Sequence, residues 1–175
     1  MRIGFWKISA GLLVGLLALY LVNPLGTASH DPRLRLLGIA PFSQPSASMA
    51  PTLAPGRLIL VSAWAHAVSE PQRGEIVVFL PPEGEAAFVK RLVALPGDRV
   101  ALKQGRLLVN GETVDEPYLH PAPAFGPRHG QDMAERSLAA DEYFMLGDHR
   151  DNSKDSRHFG PVGRKAFFGR VEKAF

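Results

Sequence analysis

The chain contains no cysteine among its 175 residues. That absence excludes a disulfide framework and a thiolate metal site, and it leaves the redox compartment undecided. The six histidines fall singly, without the close pairs that a His-based zinc site uses. No metal and no cofactor are therefore expected. Charge of one sign is scarce too: 20 basic residues stand against 17 acidic ones, a net of +3, and the basic residues are scattered. This favours an anionic membrane surface over nucleic acid as a partner. There is no internal repeat and only one long apolar run. With 46% hydrophobic residues, the rest of the chain can bury one core of ordinary domain size.

The apolar run lies at the N-terminus, where Ile8 to Val22 is uncharged and mostly apolar. Counted from Phe5, a helix ending at Val22 is about 27 Å long, against a hydrocarbon core of about 30 Å. Lys7 would lie at one boundary, Trp6 and Tyr20 would fall near the two interfaces, and Pro24 would stop the helix. A basic start, a short apolar run and Gly26-Thr27-Ala28 fit a cleavable signal peptide as well. Charge decides orientation poorly, because Arg2, Lys7 and the amino terminus face His30, Arg33 and Arg35, offset by Asp31. Residues 24–45 hold four prolines and little alternation, as a connector would.

Residues 46–175 read as β-rich. Leu58 to Val61, Ile76 to Phe79 and Ala87 to Val89 are β-type runs, the last two joined by a polar turn at residues 81–85. Leu107-Leu108-Val109 and Glu112-Thr113-Val114 flank Asn110-Gly111, the dipeptide best suited to a tight hairpin turn because both positions need positive φ. Pro117, Pro121, Pro123 and Pro127 with Gly126 and Gly130 predict a loop, followed by one or two helical turns from Ala134 to Ala140. Together, residues of about 103–141 form a small hairpin and loop insertion. Tyr143 to Leu146 reads as a strand delivering the charged loop Asp148 to Arg157, and Lys165 to Val171 as the closing strand. These pieces predict a mainly β, antiparallel, barrel-like domain.

Two side chains suggest chemistry. Ser48 follows the connector, and a serine becomes a useful nucleophile only when something takes its proton. Lys90 lies on a strand between Phe88 and Leu92, which share its face, while Val89, Arg91 and Val93 point the other way. Desolvation penalises an ammonium, so the lysine pKa falls and a fraction becomes free base near neutral pH. The competing reading is a lysine that reaches water from an exposed strand.

Four ordered segments carry a resemblance: Pro45 to Leu53, Arg73 to Phe79, Phe88 to Asp98 and Gly147 to Arg157. They resemble the boxes of bacterial type I signal peptidases, the Ser/Lys-dyad serine peptidases, and span most of the chain. The resemblance implies a coiled β fold, an anchor retained over residues 1–23, and a catalytic domain on the extracytoplasmic side of the bacterial inner membrane. It implies an endopeptidase that removes signal peptides from exported preproteins, with Ser48 as nucleophile and Lys90 as general base. The oxyanion donors would be the Ser48 backbone N–H and the Ser46 hydroxyl; the competing reading of Ser46 is a turn hydroxyl bonded to nearby backbone. Ser153 would orient the Lys90 amine, and Asp155 and Arg157 would hold the loop by an ion pair. Phe42, Pro45, Met49 and Val89 match substrate-pocket positions, although each could equally be core.

The sequence departs from the family pattern at His149, commonly asparagine, and at Gln44, usually apolar, which puts the shape of the substrate pocket in question. The short stretch between Lys90 and Gly147 argues against a large accessory domain. Three alternatives remain beside this reading. A conjugation-associated pilin-maturing peptidase would use the same dyad on a narrower substrate, and a silent, membrane-tethered peptide-binding module would have lost Ser48 or Lys90. A Ser/His/Asp triad lacks a histidine with a privileged partner.

Overall fold

The computed structural model describes residues 5–82, 84–119 and 132–175, with side chains from Gly11 on. The loop expected around Pro121, Pro123, Gly126, Pro127 and Gly130 lies outside the described residues, as do the side chains of Trp6 and Lys7. Helix α1 (Phe5–Val22) is ended by Asn23, at φ 50, and Pro24. Leu12, Leu13, Val14, Leu17, Leu21 and Val22 on it are exposed. Among the described residues no helix is long and apolar enough to cross a membrane.

The body holds eleven strands among the described residues: β1 (Ile39–Gln44), β2 (Arg57–Ser62), β3 (Ile76–Phe79), β4 (Phe88–Ala94), β5 (Arg99–Lys103), β6 (Arg106–Val109), β7 (Glu112–Thr113), β8 (Met133–Ser137), β9 (Glu142–Leu146), β10 (Val162–Gly163) and β11 (Phe167–Ala174). Seven form an antiparallel sheet in the order β1-β2-β11-β3-β4-β9-β10, and four form a smaller one in the order β7-β6-β5-β8. Two short helices, α2 (Trp64–Val68) and α3 (Ser156–Phe159), complete the frame. The core lies in three clusters, one under β1 and β2, one under β3, β9 and β11, and one between the two sheets. Phe79, Phe144 and Phe167 are its largest fully buried side chains, each stabilising the fold by roughly 1.5–3 kcal/mol through burial.

The mainly antiparallel β class is as expected, but the barrel does not close. One edge is β1, and the other is the two-residue β10, which follows Pro161 and is too short to carry a ladder back to β1. Part of the stretch expected as connector is the edge strand β1, paired with β2 from Ile39↔Ser62 to Gln44↔Arg57. The helical turns expected from Ala134 are instead β8, paired with β5. Side chains there are mostly exposed, so apolar periodicity was absent, and pairing to a neighbouring strand overrode local preference. The Asn110-Gly111 turn is as expected, with φ of 57 and 87, and the Asn110 side chain bonds Asp98 at 2.8 Å.

Behind β11, away from the serine and lysine of interest, His66 on α2 is buried with its Nε2 2.9 Å from a Glu75 carboxylate oxygen. A neutral ring donating Nε2–H to Glu75 leaves Nδ1 without a partner. Arg170 also bonds Glu75, at 2.9 Å, the Arg164 guanidinium bonds the His66 carbonyl, and the Phe167 ring lies against the imidazole. Burial pushes the His66 pKa below its ordinary 6.5, and Glu75 only partly offsets this. The unfolded chain therefore binds a proton below about pH 6.5 that the folded chain refuses. Stability is full above that pH and lost as pH falls below it. Glu75, also held below its ordinary value, acts in the same direction at lower pH. Thermal melts should show Tm falling between pH 7 and pH 5.5, and His66→Gln should flatten that part of the curve. An unchanged slope in the variant would assign the titration elsewhere.

Candidate active site

Strand β1 delivers the serine. It ends at Gln44, whose buried side chain donates to the Ser46 carbonyl at 3.0 Å. Pro45 then leads into a single 3-10 turn, Ala47–Met49, capped by Ser46 in extended conformation. The Ser46 hydroxyl accepts the Ser48 N–H at 3.1 Å. Met49, fully buried, pins the turn to the core. The Ser48 carbonyl accepts the His149 N–H at 3.0 Å. The serine is thus fixed by backbone on both sides, leaving its hydroxyl as the group that can act.

Strand β4 delivers the lysine from the middle of the large sheet, where Lys90 faces Val77 across the ladder. Its Nζ lies 2.7 Å from Ser48 Oγ, donates to the Val89 carbonyl at 3.0 Å, and sits 5.2 Å from the centre of the Phe88 ring. Only 4% of each of the two residues is exposed. Burial pulls the Lys90 pKa from 10.5 down to about 8, against the upward pull of Asp155 and Asp148. With the amine charged, nitrogen donates to the hydroxyl oxygen; with it neutral, the hydroxyl can donate to nitrogen. Leu92 is fully buried in a cluster with Val77 and Phe79.

The third element is the loop from Gly147 to Arg157. A Cβ on Gly147 would lie 2.6 Å from the Ser48 carbonyl oxygen and 2.2 Å from Ser153 Oγ, so the loop approaches the serine turn this closely only with glycine there. Asp155 is fully buried and accepts from Gly147 N at 3.0 Å, Ser153 Oγ at 2.7 Å, and the Arg157 guanidinium at 2.8 and 2.9 Å. Burial alone would push its pKa up, but the bonds from Arg157, Gly147 and Ser153 hold it below the usual carboxylate range. Asp155 and Arg157 form an ion pair. Ser153, expected to orient the Lys90 amine, donates its hydroxyl proton to the Asp155 carboxylate. Asp148, at the start of the loop, is met by Arg91, whose guanidinium bonds it at 2.8 and 2.6 Å.

Ser48 and Lys90 open onto a cleft of about 690 Å³. Of the expected pocket positions, Pro45 and Val89 line it, together with Ser46, and Asp151 to Lys154 form its far side. Phe42 and Met49 are elsewhere: Met49 is core, and Phe42 packs partly buried against the same cluster. Gln44, Ala86, Ala87 and Phe88 also line the cleft. The small pair Ala86-Ala87 just before the lysine strand was the available signal, since small side chains leave room beside a strand. Among the described residues no cluster could hold a metal ion.

A family model described as signal peptidase, peptidase S26, matches residues 17–175. The chain belongs to that family. It is 40% identical over 135 residues to the probable signal peptidase I-2 of Synechocystis, covering 73% of this chain and 58% of that protein. It is 36% identical over 154 residues to the signal peptidase I of Bacillus caldolyticus, covering 79% and 80%. Among solved structures, a signal peptidase I from Enterococcus faecalis matches with a TM-score of 0.53 at 30% identity, covering 59% of this chain and 97% of that one.

The Lys90 environment has a direct spectroscopic consequence. In an NMR titration of ¹³C-labelled lysine, one side chain should lose its proton near pH 8, and Lys90→Met should delete that transition. A wild type with no transition near pH 8 would contradict the burial described above.

Proposed function

We propose that this chain is a membrane-tethered serine endopeptidase that removes signal peptides from exported preproteins, with Ser48 as nucleophile and Lys90 as general base. The carrying observation is the 2.7 Å approach of a buried, pKa-depressed amine to a buried serine hydroxyl at the wall of an open cleft. Membership of the signal peptidase family supports the substrate class.

Neutral Lys90 takes the Ser48 proton as Oγ attacks the scissile carbonyl. The resulting ammonium returns that proton to the leaving amine, which departs as the acyl-enzyme forms. Lys90, neutral again, then accepts a proton from the water that cleaves the ester, and hands it to Ser48 Oγ. Negative charge on the carbonyl oxygen would be met by the Ser48 N–H and the Ser46 hydroxyl. In the free protein these two groups bond one another, so a turn about the Ser46 side chain must release the N–H when substrate arrives. Such a donor is worth about 100- to 1000-fold in turnover. Asp155 and Arg157 would brace the loop behind the serine, with Ser153 acting through Asp155.

An extended peptide fits between the Pro45–Ser48 turn and the Ala86–Lys90 segment, with its strand-like backbone alongside existing strands. The apolar side chains exposed along α1 support its use, with the residues before it, as a bilayer anchor that leaves the β domain on the extracytoplasmic side.

Mass spectrometry of a model preprotein treated with detergent-purified protein should reveal one cut, after a small residue. Ser48→Ala and Lys90→Met should lower turnover by at least about 1000-fold. Lys90→Met should melt no lower than wild type at pH 7, since it removes an amine whose charged form burial opposes. Wild-type cleavage by Lys90→Met would sink the dyad. Because the base must be neutral, initial rates should climb from pH 6, pass half-maximum near pH 8 and level off above pH 9. A flat profile over that range would count against Lys90 as base.

A further inference from the structure

Two buried arginines beside the dyad take no part in the proposed proton transfers. Arg91 follows Lys90 on β4 and faces the opposite side of the strand; besides Asp148, it bonds the Gly74 carbonyl at 2.7 Å. Arg150, its side chain fully buried, donates to the Gly147 carbonyl at 3.1 Å, and its own carbonyl accepts from Arg157 at 2.6 Å. One short segment meets both. It follows β7 and leaves the small sheet through Val114, whose N–H bonds the Leu107 carbonyl at 2.9 Å. Tyr118 of this segment lays its ring over the Arg91 guanidinium, 3.8 Å from centroid to Cζ. Its hydroxyl donates to Glu116 at 2.7 Å, and Glu116 accepts from both terminal nitrogens of Arg150. Burial, reinforced by Glu116, pushes the Tyr118 phenol far above its ordinary value, so the ring stays neutral and its face remains available to a cation.

We infer that Glu116 and Tyr118 are positioning residues for the reaction proposed above: a strut from the small sheet that holds the lysine strand and the serine-holding loop in one register. The inference rests on that proposed function. One arm runs from Tyr118 through Arg91 to the backbone of Lys90. The other runs from Glu116 through Arg150 to Gly147, in the loop whose His149 N–H holds the Ser48 carbonyl. The β4–β9 ladder, where Arg91 faces Leu146, and the Arg91–Asp148 pair tie the strand to the entrance of the loop. The strut adds a tie further along the loop, through Arg150. Neither Glu116 nor Tyr118 lines the cleft, so they act on the distance between Oγ and Nζ rather than on substrate binding. A misplacement of about 1 Å between reacting groups costs about 100-fold.

The experiment compares kcat and KM of wild type, Glu116→Gln, Tyr118→Leu and Tyr118→Phe in detergent with a model preprotein, each at a temperature well below its own Tm. Tyr118→Leu and Glu116→Gln should lose about 10- to 100-fold in kcat with KM within about twofold of wild type. Tyr118→Phe, which keeps the ring over Arg91, should recover most of the loss seen in Tyr118→Leu. Glu116→Gln leaves a buried cation without its counter-charge and lowers Tm; Tyr118→Leu removes no charge, so it decides the matter if the first variant does not fold. Unimpaired kcat in folded Tyr118→Leu, or a loss that lies in KM, would overturn the strut while leaving the Ser48–Lys90 reading intact. A wild type that does not cleave takes both down.

Discussion

The arrangement depends on one constraint, an amine kept out of water. Lowering the Lys90 pKa from 10.5 to about 8 corresponds to about 3 kcal/mol in favour of the neutral form, at roughly 1.4 kcal/mol for each pH unit. A surface lysine would hold its proton until far above neutrality and could not relieve a serine of its own. Burial on β4 supplies the effect through position alone. Val77 lies opposite on the ladder, Phe88 lies alongside, and the Ser48 turn closes the remaining side. Other features of the site can be understood as what is needed to keep that pocket dry and still bring a hydroxyl to 2.7 Å.

Two carboxylates stand close enough to work against this, since both Asp155 and Asp148 pull the Lys90 pKa upward. Each is matched by an arginine, Arg157 for Asp155 and Arg91 for Asp148. Guanidinium suits the role because it is always charged and its fork meets both carboxylate oxygens at once. Buried ion pairs are weak sources of stability, because desolvation offsets most of the attraction. Their value here is geometric and electrostatic: they fix a tight loop against the serine turn and weaken the field of two carboxylates that would otherwise hold the amine charged. Losing either arginine would leave a buried carboxylate beside the lysine, with effects on charge as well as shape.

Local chemistry was the legible part of the sequence. Asn110-Gly111 announced its hairpin because its φ requirement is intrinsic, and Ser48 and Lys90 stood out because their flanking residues carry the pattern. Long-range pairings were hidden. Glu116 lies 34 residues from Arg150, and nothing local to either marks the partnership. Strand β1 was obscured by Pro41 and by an exposed face, both natural on an edge strand and both subtracting from the periodic signal. Strand β8 was obscured by its mostly exposed side chains alone. Ser153 was assigned by resemblance to the lysine, yet its hydroxyl donates to the Asp155 carboxylate two residues on. Phe42 and Met49 show the same limit: an apolar residue near a nucleophile reads alike whether it faces a cleft or the core.

The route from α1 to Ser48 is short and stiff, and that bears on how a tethered enzyme meets its substrate. Arg35 stacks on the Tyr20 ring at 4.8 Å and bonds the Ser29 carbonyl at 2.7 Å, while the Tyr20 hydroxyl bonds the His30 carbonyl at 3.0 Å. These contacts fold the turns after the helix back onto its end. Thr27 and Ala28 are in turn bonded to β11. From Gly38 the chain enters β1, and six strand residues, about 20 Å at ~3.3 Å each, lead to the Pro45–Ser48 turn. No long, free linker lies between helix and nucleophile. In the proposed membrane-tethered arrangement, the height of Ser48 above the lipid is therefore set by strand length and by a few bonded turns. A substrate whose own apolar helix ends at the same surface would present its next extended residues at that height. The tether then contributes to choosing the cut before any side-chain pocket is consulted.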